Sequence, residues 1–168
     1  MTHENKYTSL VPAQLAKLVV SAEQDKVLLS ALRSFRAILV GGQSTPDELR
    51  NKALDLGIKV VVSYGMTETA GGCVFDGIPL EGVRLKIAPD SRLLISGKTM
   101  AEDQDDWIFT NDLAELTPGG KLNIIGRADR VIISGGIKVA LERVEYLGSE
   151  LPGVEEIAAV SLQDETWG

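Results

Sequence analysis

A chain of 168 residues, 44% of them hydrophobic, can bury one core of ordinary globular kind, and its net charge of −7 excludes a broad cationic face for nucleic acid or anionic lipid. The single Cys73 excludes an internal disulfide, and with one histidine far away at His3 it excludes a zinc cluster. No apolar run approaches the roughly 20 residues of a membrane span, and the first residues lack the pattern of a signal peptide, so neither membrane nor nucleic acid is an expected partner and the cytoplasm is the expected location.

The first third reads as α/β. Residues 12–20 put Leu15, Leu18 and Val19 on one helical face, and residues 25–35 do the same with Leu28, Leu29 and Leu32. Residues 37–40 form a short apolar run ending at Gly41-Gly42, which predicts a strand buried on both faces. Thr45-Pro46-Asp47-Glu48 reads as a helix start, with Thr45 as N-cap, Pro46 at the first helical position and Glu48 completing a capping box; Gly57 ends that helix. Residues 58–63, with three consecutive valines, predict a second buried strand, so strand, helix and strand make a βαβ unit with parallel strands.

From Cys73 onward the pattern changes to short strands and tight turns. Residues 83–87 alternate apolar and charged and pair as a hairpin with 92–96; residues 107–116 and 122–125 form another pair about the turn at Pro118-Gly119-Gly120. Residues 131–134 lead through Gly135-Gly136 to a helix near 140–151 with Leu141, Val144, Leu147 and Leu151 on its apolar face, and 156–162 predict a final strand.

The chemistry concentrates in Ser63-Tyr64-Gly65-Met66-Thr67-Glu68-Thr69, at the end of a buried parallel strand, where ligands of open α/β sheets bind. Gly65 lets backbone approach a ligand, Thr67 offers a hydroxyl to a phosphate oxygen, and Glu68 is a hard oxygen donor suited to Mg²⁺. An ordinary capped turn is the competing reading of these residues alone.

Tyr-Gly-Met-Thr-Glu-Thr at 64–69 resembles the signature loop of the adenylate-forming superfamily of acyl-CoA synthetases, peptide-synthetase adenylation domains and luciferases. Three further resemblances follow in the family's order. Val40-Gly41-Gly42-Gln43 resembles the segment flanking adenine, Phe109-Thr110-Asn111-Asp112 the Thr-Gly-Asp motif, and residues 126–136 the junction with the C-terminal lid. Asn111 departs from the family's glycine, and since asparagine tolerates left-handed backbone the turn is expected to survive. Residues 9–15 and 65–72 look most like the o-succinylbenzoate:CoA ligases of menaquinone biosynthesis.

The resemblance implies the rear part of the large adenylate-forming domain, an α/β part at 1–78 and a β-rich part at 79–127, with the start of the lid at 128–168. It implies ATP, Mg²⁺ and CoA, with a small carboxylate as acyl substrate. Gly41, Gly42, Gln43, Tyr64, Gly65, Met66 and Thr67 would bind the nucleotide, with Asp112 and Arg127 on the ribose. Thr67 and Glu68 would be catalytic and Glu68 would hold the metal. Asp129 would be the hinge, Gly135 and Gly136 would approach CoA, and Ser63, Gly65 and Lys17 would meet the acyl group, Lys17 as the cation for an unreacted carboxylate. The family's phosphate loop and lid lysine have no counterpart in these residues, so the chain alone is expected to be inactive. Another acyl-CoA synthetase, an amino-acid adenylation domain and a non-catalytic nucleotide-binding module are the alternatives.

Overall fold

A computed structural model describes residues 5–97, 107–154, 156–164 and 166–167. The chain divides into two compact units: one runs to Arg84 and takes in Ser96 and Gly97, and the other comprises Leu85–Ile95 and the described residues from Trp107 onward.

The first unit is built on a five-stranded sheet in which β1 (Tyr7–Leu10), β2 (Ala37–Val40), β3 (Val60–Met66), β4 (Gly71–Phe75) and β5 (Ile78–Pro79) are neighbours in chain order. The first three are parallel and the last two antiparallel. Three helices, α1 (Pro12–Gln24), α2 (Lys26–Arg33) and α3 (Asp47–Asp55), supply the apolar faces that cover it. Leu15, Val19, Ala22, Leu32 and Ala53 pack with Ile38, Val40, Ile58 and Val60 in one core, and Leu15, Ile38, Ala53 and Ile58 have no exposed surface. Asp25 separates α1 from α2 and caps the latter, its carboxylate accepting from the Val27 and Leu28 amides at 2.8 and 3.0 Å.

The strand–helix–strand unit and its parallel pairing are as the pattern predicts. The start of α3 is not. Pro46 is the N-cap, with ψ 136°, and its carbonyl accepts the first helical bond from Arg50 at 3.1 Å. Thr45 therefore stands one residue too early to cap, and its buried hydroxyl has no protein partner. Likewise β3 begins at Val60 and continues to Met66, so Tyr64, Gly65 and Met66 belong to a strand, with only Thr67–Thr69 beyond it as a 3-10 turn. The cause is β4: it takes over as an antiparallel partner from Ser63, where pairing to β2 has stopped at Val62.

In the second unit a four-stranded sheet places β6 (Val83–Ile87), β7 (Arg92–Gly97), β8 (Ile108–Leu116) and β9 (Leu122–Arg127) side by side, the unit boundary cutting β6 and β7. A 3-10 turn at Ala128–Arg130 leads to the antiparallel hairpin of β10 (Val131–Ser134) and β11 (Ile137–Ala140), and then to α4 (Leu141–Ser149). The strand β11 occupies residues to which the sequence assigned no element, and it takes in Ala140, where the helix was expected to begin. Residues 156–162 are not a strand: Val160 and Leu162 are exposed, and the Ala159 amide donates to the Glu145 carboxylate at 2.9 Å instead of to a neighbouring strand. No residue of α4 is buried. It is held in part by ion pairs, Glu142 and Glu145 meeting Arg130 at 3.1 and 2.6 Å, and Ile157 packs over Gly148, while Val144 and Leu147 stay exposed.

Candidate functional site

The end of β3 is zipped to β4 by close backbone approach. A Cβ on Gly65 would stand 1.9 Å from the Gly71 carbonyl oxygen, so only glycine fits there. The register slips between Tyr64 and Gly65, leaving Cys73 as an extra residue in β4, a bulge that twists the hairpin end. Burial pushes the Cys73 thiol pKa up, against a side-chain hydrogen bond with Thr69. Past the last rung, Thr67 and Glu68 are exposed and Ala70 takes the left-handed conformation at φ 53°.

Two cavities open beside this hairpin end. One, of about 470 Å³, is lined by Gly65, Met66, Thr67, Ala70 and Gly71. The other, of about 400 Å³, is lined by Ser9, Leu10, Val11, Gln14, Leu39, Gly41 and Phe75. Gly42, Ser63 and Gly72 border both. Ser63 donates to the Val40 carbonyl at 3.3 Å, and a Cβ on Gly41 would collide with the Ser63 hydroxyl at 2.3 Å, so bare backbone at Gly41 makes room for that side chain. Gly42 follows at φ 83°, and Gln43 is exposed. Lys17 is exposed on α1 and lines neither cavity; Gln14, one turn earlier, lines the second, in which no lining side chain is charged. Of the two residues that the sequence reading puts on the pocket helix, Gln14 and Lys17, it is Gln14, on the first turn, that borders a cavity.

The second unit holds a charged constellation. Asp112 and Arg127 are direct cross-strand partners on β8 and β9, where such pairs interact most strongly. Between Arg92 and Leu94 the register of β8 shifts, and Thr110 spans the irregularity: its hydroxyl donates to the Leu93 carbonyl at 2.9 Å and accepts from the Asp112 amide at 3.1 Å. Asn111 is thus within an irregular strand and has no left-handed backbone, so the expected turn is absent. Asp112 is 8% exposed. Arg127 reaches it at 3.4 Å and grips Asp129 more closely, at 2.9 and 2.7 Å. The hydrogen bonds from Arg127 hold the Asp129 carboxyl below the usual aspartate range, and Asp129 in turn raises Arg127.

Gly135 and Gly136 are the two central residues of the β10–β11 turn, with φ 56° and 82°, both left-handed as a tight hairpin requires. The Gly135 amide donates to the Trp167 carbonyl at 3.0 Å, and a Cβ on Gly135 would meet the Trp167 ring at 2.8 Å. Among the described residues no cluster of three or more His, Cys, Asp or Glu could hold a metal, and no helix is long and apolar enough to cross a membrane.

Residues 2–101 match the family described as AMP-binding enzyme. A probable 2-succinylbenzoate–CoA ligase of Mycobacterium tuberculosis is 39% identical over 176 residues, covering 97% of this chain and 45% of that protein. The o-succinylbenzoate CoA synthetase of Bacillus subtilis in complex with the acyl-adenylate intermediate superposes with a TM-score of 0.82 at 28% identity, over 99% of this chain and 40% of the other. The same enzyme solved with ATP and magnesium ion gives 0.81 at 26% identity, over 98% and 40%. The chain thus spans less than half the length of these relatives. With a family match across residues 2–101, the chain belongs to the AMP-binding enzymes.

Proposed function

We propose that this chain is the adenylate-binding part of an ATP-dependent acid:CoA ligase, with o-succinylbenzoate as the acid. The observation that carries the reading is the pair of cavities that meet at Gly42, Ser63 and Gly72, one beside the Thr67–Glu68 turn and one lined by neutral and apolar residues. A carboxylate in the neutral cavity would place its reacting oxygen at the shared border, next to a phosphate in the other. The oxygen attacks the α-phosphorus of ATP, pyrophosphate leaves, and the acyl-adenylate forms; the CoA thiol then displaces AMP at the acyl carbon. Activation is needed because a carboxylate is a poor electrophile.

In this reading Gly41, Gly42, Gln43 and Tyr64 face adenine, and Gly65 and Met66 present backbone to the nucleotide. Thr67 donates to a phosphate oxygen. Asp112 accepts from ribose hydroxyls and Arg127 donates to them through a rigid fork. Glu68 fits Mg²⁺ by its chemistry, one exposed carboxylate being a usual protein share when substrate phosphates supply the rest. The ion would neutralise charge on the phosphates. Asp129 serves as the hinge and Gly135 with Gly136 as the approach to CoA. Ser9 and Gln14 supply neutral donors for the far end of the acid, a role for which Lys17 lies outside the cavity lining. The relatives named for 2-succinylbenzoate support the choice of acid.

Calorimetric titration of AMP into the wild type, Asp112→Ala and Thr67→Ala tests the nucleotide assignment. Both variants should bind more weakly, and unchanged affinity in both would refute it. Pyrophosphate exchange with o-succinylbenzoate against a panel of amino acids and simple aryl acids, in a ligase of the relatives' full length carrying this segment, separates the acid from its competitors.

A further inference from the structure

We infer that Thr69 is a positioning residue for the Thr67–Glu68 turn, its hydroxyl stapling the last residue of β3 to the first of β4. The inference rests on the phosphate and metal roles proposed for that turn. Thr69 is 2% exposed, whereas Thr67 and Glu68, the two residues before it in the same turn, are open to solvent. It lines neither cavity, although Met66, Thr67, Ala70 and Gly71 all line the larger one. Its side chain therefore stands behind the turn and acts only through its neighbours.

Besides its side-chain hydrogen bond with Cys73, the hydroxyl is engaged with backbone on both strands. It accepts from the Met66 amide at 2.9 Å and directs its proton to the Gly71 carbonyl at 2.7 Å, with the Met66 carbonyl at 3.0 Å as a second acceptor. Met66 and Gly71 are themselves the last register pair of the β3–β4 ladder, so the hydroxyl closes the mouth of the loop that carries residues 67–70. That loop is not one its sequence favours. Ala70 has φ 53° and Gly71 φ 114°, and a non-glycine residue in the left-handed region is disfavoured without an external hold. A backbone bond from the Ala70 amide to the Thr67 carbonyl at 3.0 Å closes the turn itself but leaves its direction from the sheet unset. Thr69 sets it, because the Gly71 carbonyl it grips is the atom pressed against Gly65, where no Cβ could enter. The motif's final threonine thus has a job distinct from the two residues before it.

Valine keeps the shape of threonine and removes the hydroxyl, and serine keeps the hydroxyl, so Thr69→Val and Thr69→Ser separate packing from hydrogen bonding. In the 168-residue chain, hydrogen exchange at the Met66 amide should be at least about tenfold faster in Thr69→Val and near wild type in Thr69→Ser, with the Ile38 and Val60 amides unchanged, since a lost local hydrogen bond opens only its own neighbourhood. Calorimetry should show adenosine affinity unchanged in both variants while AMP affinity falls several-fold in Thr69→Val alone. Unchanged Met66 exchange in Thr69→Val would overturn the staple. A parallel loss of adenosine and AMP binding would overturn positioning in favour of general damage; where the wild type binds AMP more tightly than adenosine, an unaltered ratio with Met66 exchange accelerated would overturn positioning as well. Equal wild-type affinity for the two ligands, with Met66 exchange still accelerated by valine, would support the staple and sink the phosphate role of Thr67.

Discussion

The hairpin end in the first unit and the arginine constellation in the second are held by opposite means. Around Gly65 the geometry comes from shape: a missing Cβ, a bulge at Cys73, a buried hydroxyl and no charged group among the bonds that close it. Around Arg127 it comes from charge, with one guanidinium between two carboxylates and about half of its side chain exposed. The first arrangement should ignore salt and pH and fail under a single added methyl. The second should tolerate changes of shape and respond to both.

The largest expected effect is Gly65→Ala. Its Cβ would overlap backbone oxygen that cannot swing aside, so the hairpin must part, at a cost of about 1–3 kcal/mol in unfolding free energy. Thermal denaturation checks this, and a wild-type melting curve would mean the strands separate more easily than their packing implies. Next comes Asp112→Ala, which removes the acceptor proposed for the ribose hydroxyls. Adenosine and AMP should both weaken by about 1–3 kcal/mol by calorimetry, and by the same factor, because neither loses a phosphate contact.

Smaller is the pH response of the second unit. Asp129 titrates below its unfolded value because Arg127 bonds its charged form. The pair therefore contributes above the ordinary aspartate range, and the contribution disappears as pH falls through the depressed value. Carboxyl NMR should show the Asp129 midpoint moving up to the ordinary range in Arg127→Gln, and no movement would break the contrast between the regions. Smallest is Asp129→Asn: so exposed a pair is screened by solvent, and the melting temperature should stay within scatter at moderate salt.

The residues proposed for the nucleotide stand out in the sequence because each carries its chemistry in its own side chain or in the lack of one. What closes the loop was hidden. Thr69 grips backbone atoms three residues before and two after, and although threonine and serine often bond locally in this way, spacing alone does not say that β4 lies alongside. The helices of the first unit could be read from their apolar period, whereas β1 and β11, at four residues each, are too short for a period to stand out. Residues 137–140 were passed over because the helical pattern that begins at Leu141 follows without a break. Thr45 misled for a related reason. A capping residue and a proline in the right order mark a helix start only to within one residue, and Pro46 took the cap itself.

Pairing of β3 passes from β2 to β4 between Val62 and Ser63. The flank that faced β2 therefore becomes an inner margin of the sheet, four residues long. A free margin of this kind on the outside of a protein invites a second chain to add a strand. Here the cavities occupy it, and a stretch this short offers a docking strand little purchase. Backbone groups pointing the same way along a strand recur about every 7 Å, so a margin of four residues presents only about two of them on one side. That margin is written in main chain, so among substitutions in the signature loop only one that displaces the backbone, as Gly65→Ala does, should alter it.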